Sequence, residues 1–171
     1  LLNGKGLLLA MITAILSGQA LADTAGRVSF VTGEVAAISN NGGKRLLNKG
    51  DLVNSGERLE TGRGRLQIRF TDGSFVSLQP DTSFRLDNYS FNKSQPEQGT
   101  LQFNFLRGGL RTVTGAIGKV NRANYTVRSP VATIGIRGTD HEPYYVPETL
   151  ALVLAQPPGT YDKVNRGGKI G

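Results

Sequence analysis

One histidine, no cysteine and no tryptophan leave this 171-residue chain with few side chains suited to covalent or metal chemistry. His141 sits in Thr139-Asp140-His141-Glu142-Pro143, with no second histidine to complete a metal pair of the H-E-x-x-H kind. No G-x-S-x-G elbow offers a serine nucleophile beside it, so the simpler reading is a partly exposed turn histidine. The absence of cysteine excludes disulfides, zinc-thiolate sites, iron–sulfur clusters and a cysteine nucleophile. Neither phosphate-cradling glycine loop is present, and Gly62-Arg63-Gly64 is an isolated pair in a turn. Asp51, Glu57, Glu60, Asp72, Asp81 and Asp87 are the carboxylates of the first half. Two of them facing across a cleft, about 5–10 Å apart, would make an acid/base pair, whereas turn and capping chemistry accounts for each one singly. The expectation is a protein that is not an enzyme, with no catalytic residues, cofactor or metal site.

The charge is more informative. Lys and Arg total 20 against 13 Asp and Glu, a formal +7. Between Glu97 and Asp140 there is no acid, while Arg107, Arg111, Lys119, Arg122, Arg128 and Arg137 all fall in that stretch. They form a candidate basic face for an anionic partner, a protein or an envelope glycan; the alternative is a set of ordinary solvent-facing strand positions. Nucleic acid is not expected, because Lys and Arg are not clustered with interleaved aromatics.

The N-terminus gives the setting. Lys5, the apolar run from Gly6 to Leu16 and the small-residue ending Ala20-Leu21-Ala22 read as a secretory signal peptide over 1–22, cut after Ala22. The apolar run is shorter than the roughly 20 residues a membrane helix needs, and no later stretch qualifies, so no transmembrane anchor is expected in the mature chain. A periplasmic or secreted location follows. Leu1 in place of methionine, and an end at Gly171 just after Asn165-Arg166-Gly167-Gly168, set the expectation of a trimmed sequence.

These residues must be positioned by short strands. Arg65-Leu66-Gln67-Ile68-Arg69-Phe70 alternates polar and apolar, and Thr71-Asp72-Gly73-Ser74 then leads into Phe75 to Leu78, a hairpin signal. Asn40-Asn41-Gly42-Gly43 plays the same part after Gly33 to Ile38. Further strand candidates are Val28–Val31, Ser83–Leu86, Leu101–Leu106, Leu110–Val113, Tyr125–Arg128, Val131–Ile136 and Leu150–Ala155; Gly115–Ala123 is a weak helix candidate. Turn-punctuated strands without βαβ alternation predict an all-β fold, a single antiparallel-rich sandwich or roll of about ten short strands, with a short β-solenoid as the alternative. The expected division is a leader over 1–22, a β domain over 23–146, and a peripheral strand and tail over 147–171.

Several motifs, read in order, resemble the FecR domain family. They are Gly26-Arg27-Val28 with Val31-x-Gly33-x-Val35, then Leu47-x-x-Gly50-Asp51-x-Val53-x-x-Gly56, and Leu59-x-Thr61-Gly62. Leu66-x-Ile68-x-Phe70-x-Asp72-Gly73-Ser74 and Leu78-x-Pro80-x-Thr82-x-Phe84-x-Leu86 follow, and Tyr125-x-Val127-x-Ser129-Pro130 through Gly138-Thr139-Asp140 closes the series. The resemblance, over about residues 26–142, implies a β-rich extracytoplasmic domain. It is to exported members rather than to the membrane-anchored anti-sigma type. Gly50, Asp51, Thr61, Gly62, Asp72, Gly73, Pro130, Gly138 and Thr139 then have structural work: setting turns, ending strands and fixing extended backbone. The leading expectation is an exported, non-enzymatic binding or sensing module in envelope signalling or scaffolding. The alternatives are a polysaccharide-acting enzyme with a carboxylate pair and a spacer in a larger surface protein.

Overall fold

The computed structural model describes residues 24–131, 133–135, 140–146 and 159–164. The leader over 1–22, the strand candidate at 150–155 and the residues Arg137, Gly138 and Thr139 lie outside them. Among the described residues the strands are β1 (Thr24–Thr32), β2 (Ala36–Ile38), β3 (Lys44–Leu46), β4 (Leu52–Asn54), β5 (Arg58–Glu60), β6 (Arg65–Phe70) and β7 (Phe75–Leu78). They continue as β8 (Ser83–Ser90), β9 (Thr100–Val113), β10 (Tyr125–Arg128), β11 (Thr133–Gly135), β12 (Asp140–Val146) and β13 (Gly159–Val164). The one α-helix described, α1, is five residues long (Ala116–Val120) and is followed by a 3-10 turn at Arg122–Asn124. No helix among the described residues is long and apolar enough to cross a membrane.

The strands join into one curled sheet, as the all-β expectation requires, and it turns on β9. The first part of β9 pairs with β8 and, in parallel, with β10; its second part pairs with β7 and β12. Two halves result. The β8 half runs β3-β2-β5-β8-β9-β10-β11, and the β6 half runs β4-β1-β6-β7-β9-β12-β13. Every described pairing except β9 with β10 is antiparallel, so the roll is observed and the solenoid is not.

One continuous strand stands where the sequence suggested two, 101–106 and 110–113. Gly108 lets it through with φ +90, and a Cβ there would lie 2.6 Å from the Thr82 Cα and 2.8 Å from the Asp81 carbonyl oxygen. Thr82 Oγ1 latches the same point, donating to the Gly109 carbonyl at 3.0 Å and accepting from Gly109 N at 3.1 Å. A break in apolar alternation caused by two glycines is a bend in this setting, because Thr82 supplies the hydrogen bonds a strand end would lose.

The core lies between the halves. Leu66, Ile68, Phe70, Val76 and Leu78 from β6 and β7 join Leu59, Phe84, Leu86, Phe103, Phe105, Tyr125 and Val127 from the β8 half in one buried cluster. Phe103 is its hub, with ring centroids 4.8 Å from Phe84, 5.5 Å from Phe70 and 5.7 Å from Tyr125.

Candidate binding face

Strand alternation sends the partners of these core residues outward, and on the β8 half they fall into register. Lys44 on β3 stands opposite Ile38 on β2, Ile38 opposite Arg58 on β5, and Arg58 opposite Arg85 on β8. Arg85 stands opposite Asn104 on β9, and Asn104 beside Arg128 on β10. With strands about 4.8 Å apart, the stretch from Arg58 to Arg128 covers roughly 15 Å across the sheet. A second row holds Glu60, Ser83 and Arg107, and a third holds Asn88, Gln102 and Thr126.

The cations of this face are lightly committed. Arg58 Nε lies 3.4 Å from Glu60 Oε1, Arg107 Nη2 lies 3.8 Å from Glu60 Oε2, and Arg85 pairs with Asp87. Exposed pairs of this kind contribute about 0–1 kcal/mol and are readily exchanged for a ligand anion. The side chains of Lys44 and Arg128 have no ion-pair or hydrogen-bond partner among the described residues. Five cations therefore share the face with the carboxylates of Glu60 and Asp87. Two shallow clefts, of about 260 and 320 Å³, open at the β2–β3 end and share Ser39, Asn40 and Gly56. Arg58 and Arg85 wall the first, Asn54 and Ser55 the second.

The acid-free stretch gives this face only two of its members, Arg107 and Arg128. Arg111 points from the other half of β9, where it stands opposite Ser77 and is clamped by Asp140: Nε donates to Oδ1 at 3.0 Å and Nη2 to Oδ2 at 2.6 Å. Glu142 lies 3.7 Å away, and the hydrogen bonds and charge of Asp140 push the guanidinium pKa up further. A cleft of about 460 Å³ lined by Ser77, Gln79, Gly109, Arg111 and Glu142 marks this spot. Lys119 lies in the last turn of α1 and Arg122 opens the 3-10 turn; both are exposed and lie off the row. Arg137 falls outside the described residues. The five described members of the predicted set are thus not one surface, and Lys44, Arg58 and Arg85, missed from sequence, complete the observed one. Arg58-Leu59-Glu60 and Phe84-Arg85-Leu86 do carry the alternating signal that marks both arginines as outward.

The motif residues shape turns and joints. Gly50 has φ +95, and Asp51 Oδ2 accepts from Asn48 N at 2.7 Å. Thr61, fully buried, donates Oγ1 to the Gln79 carbonyl at 2.8 Å and accepts from Thr82 N at 2.9 Å, while Gly62 beside it has φ +48. Gly73 takes φ +85 in the β6–β7 hairpin. Asp72 does more than turn: its carboxylate accepts from Ser74 N at 2.9 Å, Ser74 Oγ at 2.8 Å and Ile117 N at 3.3 Å. Its carbonyl accepts from Ala116 N at 2.9 Å, so the hairpin holds the first turn of α1. Tyr89 closes the network by accepting from Asp72 N at 2.9 Å, and burial raises its hydroxyl pKa to about 12. Tyr125, fully buried and bonded to Thr112, is also pushed up by burial. Pro130 is exposed in the β10–β11 connection.

Three further carboxylates, Glu57, Asp140 and Glu142, have protein partners. Glu57 is buried against Arg45 at 2.9 Å and accepts from Asn54 N at 2.9 Å. Asp140 and Glu142 both reach Arg111. Asp81 sits in a turn at φ +56, and His141 is a β12 residue.

The family described as FecR protein matches residues 57–155. The quoted motifs from Gly26 to Gly56 precede that match; those from Leu59 onward fall within it. No curated protein matches the chain. Among solved structures, one titled "Cell surface anchoring domain" is 34% identical, covers 36% of this chain and 82% of its own, and has a TM-score of 0.35.

Proposed function

This chain belongs to the FecR protein family, and from that premise we propose that it is a non-enzymatic, envelope-associated binding module that offers the outer face of its β8 half to an anionic partner. The single observation that carries this reading is the cross-strand row of Lys44, Arg58, Arg85 and Arg128, four cations brought together from four separate strands. A rigid sheet holds such a row at fixed spacing, so an extended anion meets its charges with little ordering cost. Export by the 1–22 leader would set the face among the polyanions of the cell envelope, in the periplasm or outside, and a signalling or scaffolding role would follow from what it captures there. No membrane anchor and no nucleic acid is required.

The reading is tested by co-sedimentation of the purified chain with an isolated envelope fraction. Retention should fall at least tenfold in an Arg58/Arg85/Arg128→Ala variant and fade with added salt, as an exposed charge interaction must. Equal retention of wild type and variant overturns the reading.

A further inference from the structure

We propose that the partner is a linear polysaccharide of carboxylated sugars, lying across the strands of the β8 half with its chain entering the Asn40 clefts; this rests on the reading above and deepens it. The chemistry between the cations points that way. Asn104 stands in the cationic row itself, Asn88 and Gln102 in the neighbouring row, and none of the three side chains makes a hydrogen bond among the described residues. The amide of Asn40 is likewise unbonded, and its side chain lies against Gly56, where a Cβ would collide with it. Free amides present donors and acceptors side by side, the requirement for sugar hydroxyls, whereas a bare polyanion needs donors only. Arginine forks at Arg58 and Arg85, on adjacent strands, suit planar carboxylates bidentately.

Other anionic partners fit less well. The rows expose no aromatic ring, so a nucleic acid would find nothing on which to stack its bases. An acidic protein would meet Ile38 and the exposed Leu46 at the β2–β3 edge and no aromatic anchor in these rows. The clefts at the β2–β3 end, about 260 and 320 Å³, are walled mainly by polar groups: Ser39, Asn40, Arg58 and Arg85 with Ile38 in the first, and Asn54, Ser55 and the Arg45-paired carboxylate of Glu57 in the second. A hexuronate seated there would set its carboxylate against Arg58 and Arg85 and its hydroxyls against Asn40 and Asn54, and the chain would continue over Asn104 toward Arg128.

The test is a titration of the whole chain with polygalacturonate, methyl-esterified polygalacturonate, polyphosphate and neutral dextran. Polygalacturonate should bind, and esterification should weaken it at least tenfold because the neutral ester forfeits the charge-assisted bonds. Arg58→Lys/Arg85→Lys keeps the charge and loses the forks, so it should lower polygalacturonate affinity about tenfold. Asn40→Ala/Asn104→Ala, checked for an unchanged circular dichroism spectrum, should weaken polygalacturonate about threefold to tenfold and polyphosphate not at all. Polyphosphate bound as tightly as polygalacturonate, or an ester bound as tightly as the acid, overturns the sugar inference and leaves the anionic face standing. If no polyanion binds, both fall together.

Discussion

β9 has two outer faces, and the same residue type meets opposite fates on them. Toward the β6 half, arginine is spoken for: Arg111 lies between Asp140 and Glu142, Arg65 donates to Gln79, and Arg69 lies 5.9 Å over the Phe75 ring. Toward the β8 half the commitment is lighter: Arg58 and Arg107 share Glu60, Arg107 also donates to the Asp81 carbonyl, Arg85 pairs with Asp87, and Lys44 and Arg128 have no carboxylate among the described residues. A count of charges along the chain cannot separate these cases, because the partner that decides is on another strand. What matters for a ligand is the cation left over after the fold has satisfied its own, and the β8 rows gather five cations against the carboxylates of Glu60 and Asp87.

The comparison breaks most completely where the two faces share a support. Phe103 touches Phe70 of the β6 half and Phe84 and Tyr125 of the β8 half, so Phe103→Ala should cost about 3–5 kcal/mol and undo both faces at once. Chemical denaturation with binding measured in parallel checks this; a stable variant that loses only one face would show that the halves are separable. Next in size, Arg58→Ala/Arg85→Ala should leave the denaturation midpoint near wild type and lower envelope binding about tenfold or more. Arg111→Ala is the mirror test: it should leave binding unchanged and cost under about 1 kcal/mol, since an exposed pair holds little stability even in bidentate geometry. Equal binding losses in the two experiments would erase the distinction drawn here.

The smallest expected effect concerns pH. Tyr89 normally loses its proton near 10 and in the folded chain near 12. Between those values the unfolded chain releases the proton first, so stability falls as pH rises. Tyr89→Phe should flatten that part of the curve in alkaline denaturation, while the cation faces respond alike in both proteins.

Local signals served the sequence reading well. The alternation of Arg65 to Phe70 and the Asp72-Gly73 pair foretold β6, β7 and their hairpin, and Asn40 to Gly43 foretold the connection that brings Ile38 opposite Lys44. Three-residue strands such as β3 and β4 are too short to show a period, and their pairing supplies what periodicity cannot. Asp72 looked like turn chemistry, because its bond to Ile117 spans 45 residues. The binding face was half legible for the same reason: alternation fixes which way Arg85 points, but only the β5–β8 and β8–β9 registers place it between Arg58 and Asn104. An acid-free run in sequence is a one-dimensional clue to a two-dimensional surface, and it gathered Arg111 and Arg107 into one set although they leave β9 on different halves.

Because β9 hydrogen-bonds to β7, β8, β10 and β12, neither half possesses a complete sheet of its own. Amide protons along β9 can then exchange with solvent only when the whole domain opens, while edge strands such as β3 and β4 fray at lower cost. The same pairing closes in stages: the β8–β9 ladder needs only the 91–99 connection, whereas β7 and β12 must reach β9 across longer loops, so the loop-closure entropy falls mainly on the β6 half. The two surfaces are consequently a single thermodynamic unit: whatever tightens one by ligation raises the unfolding free energy of the other.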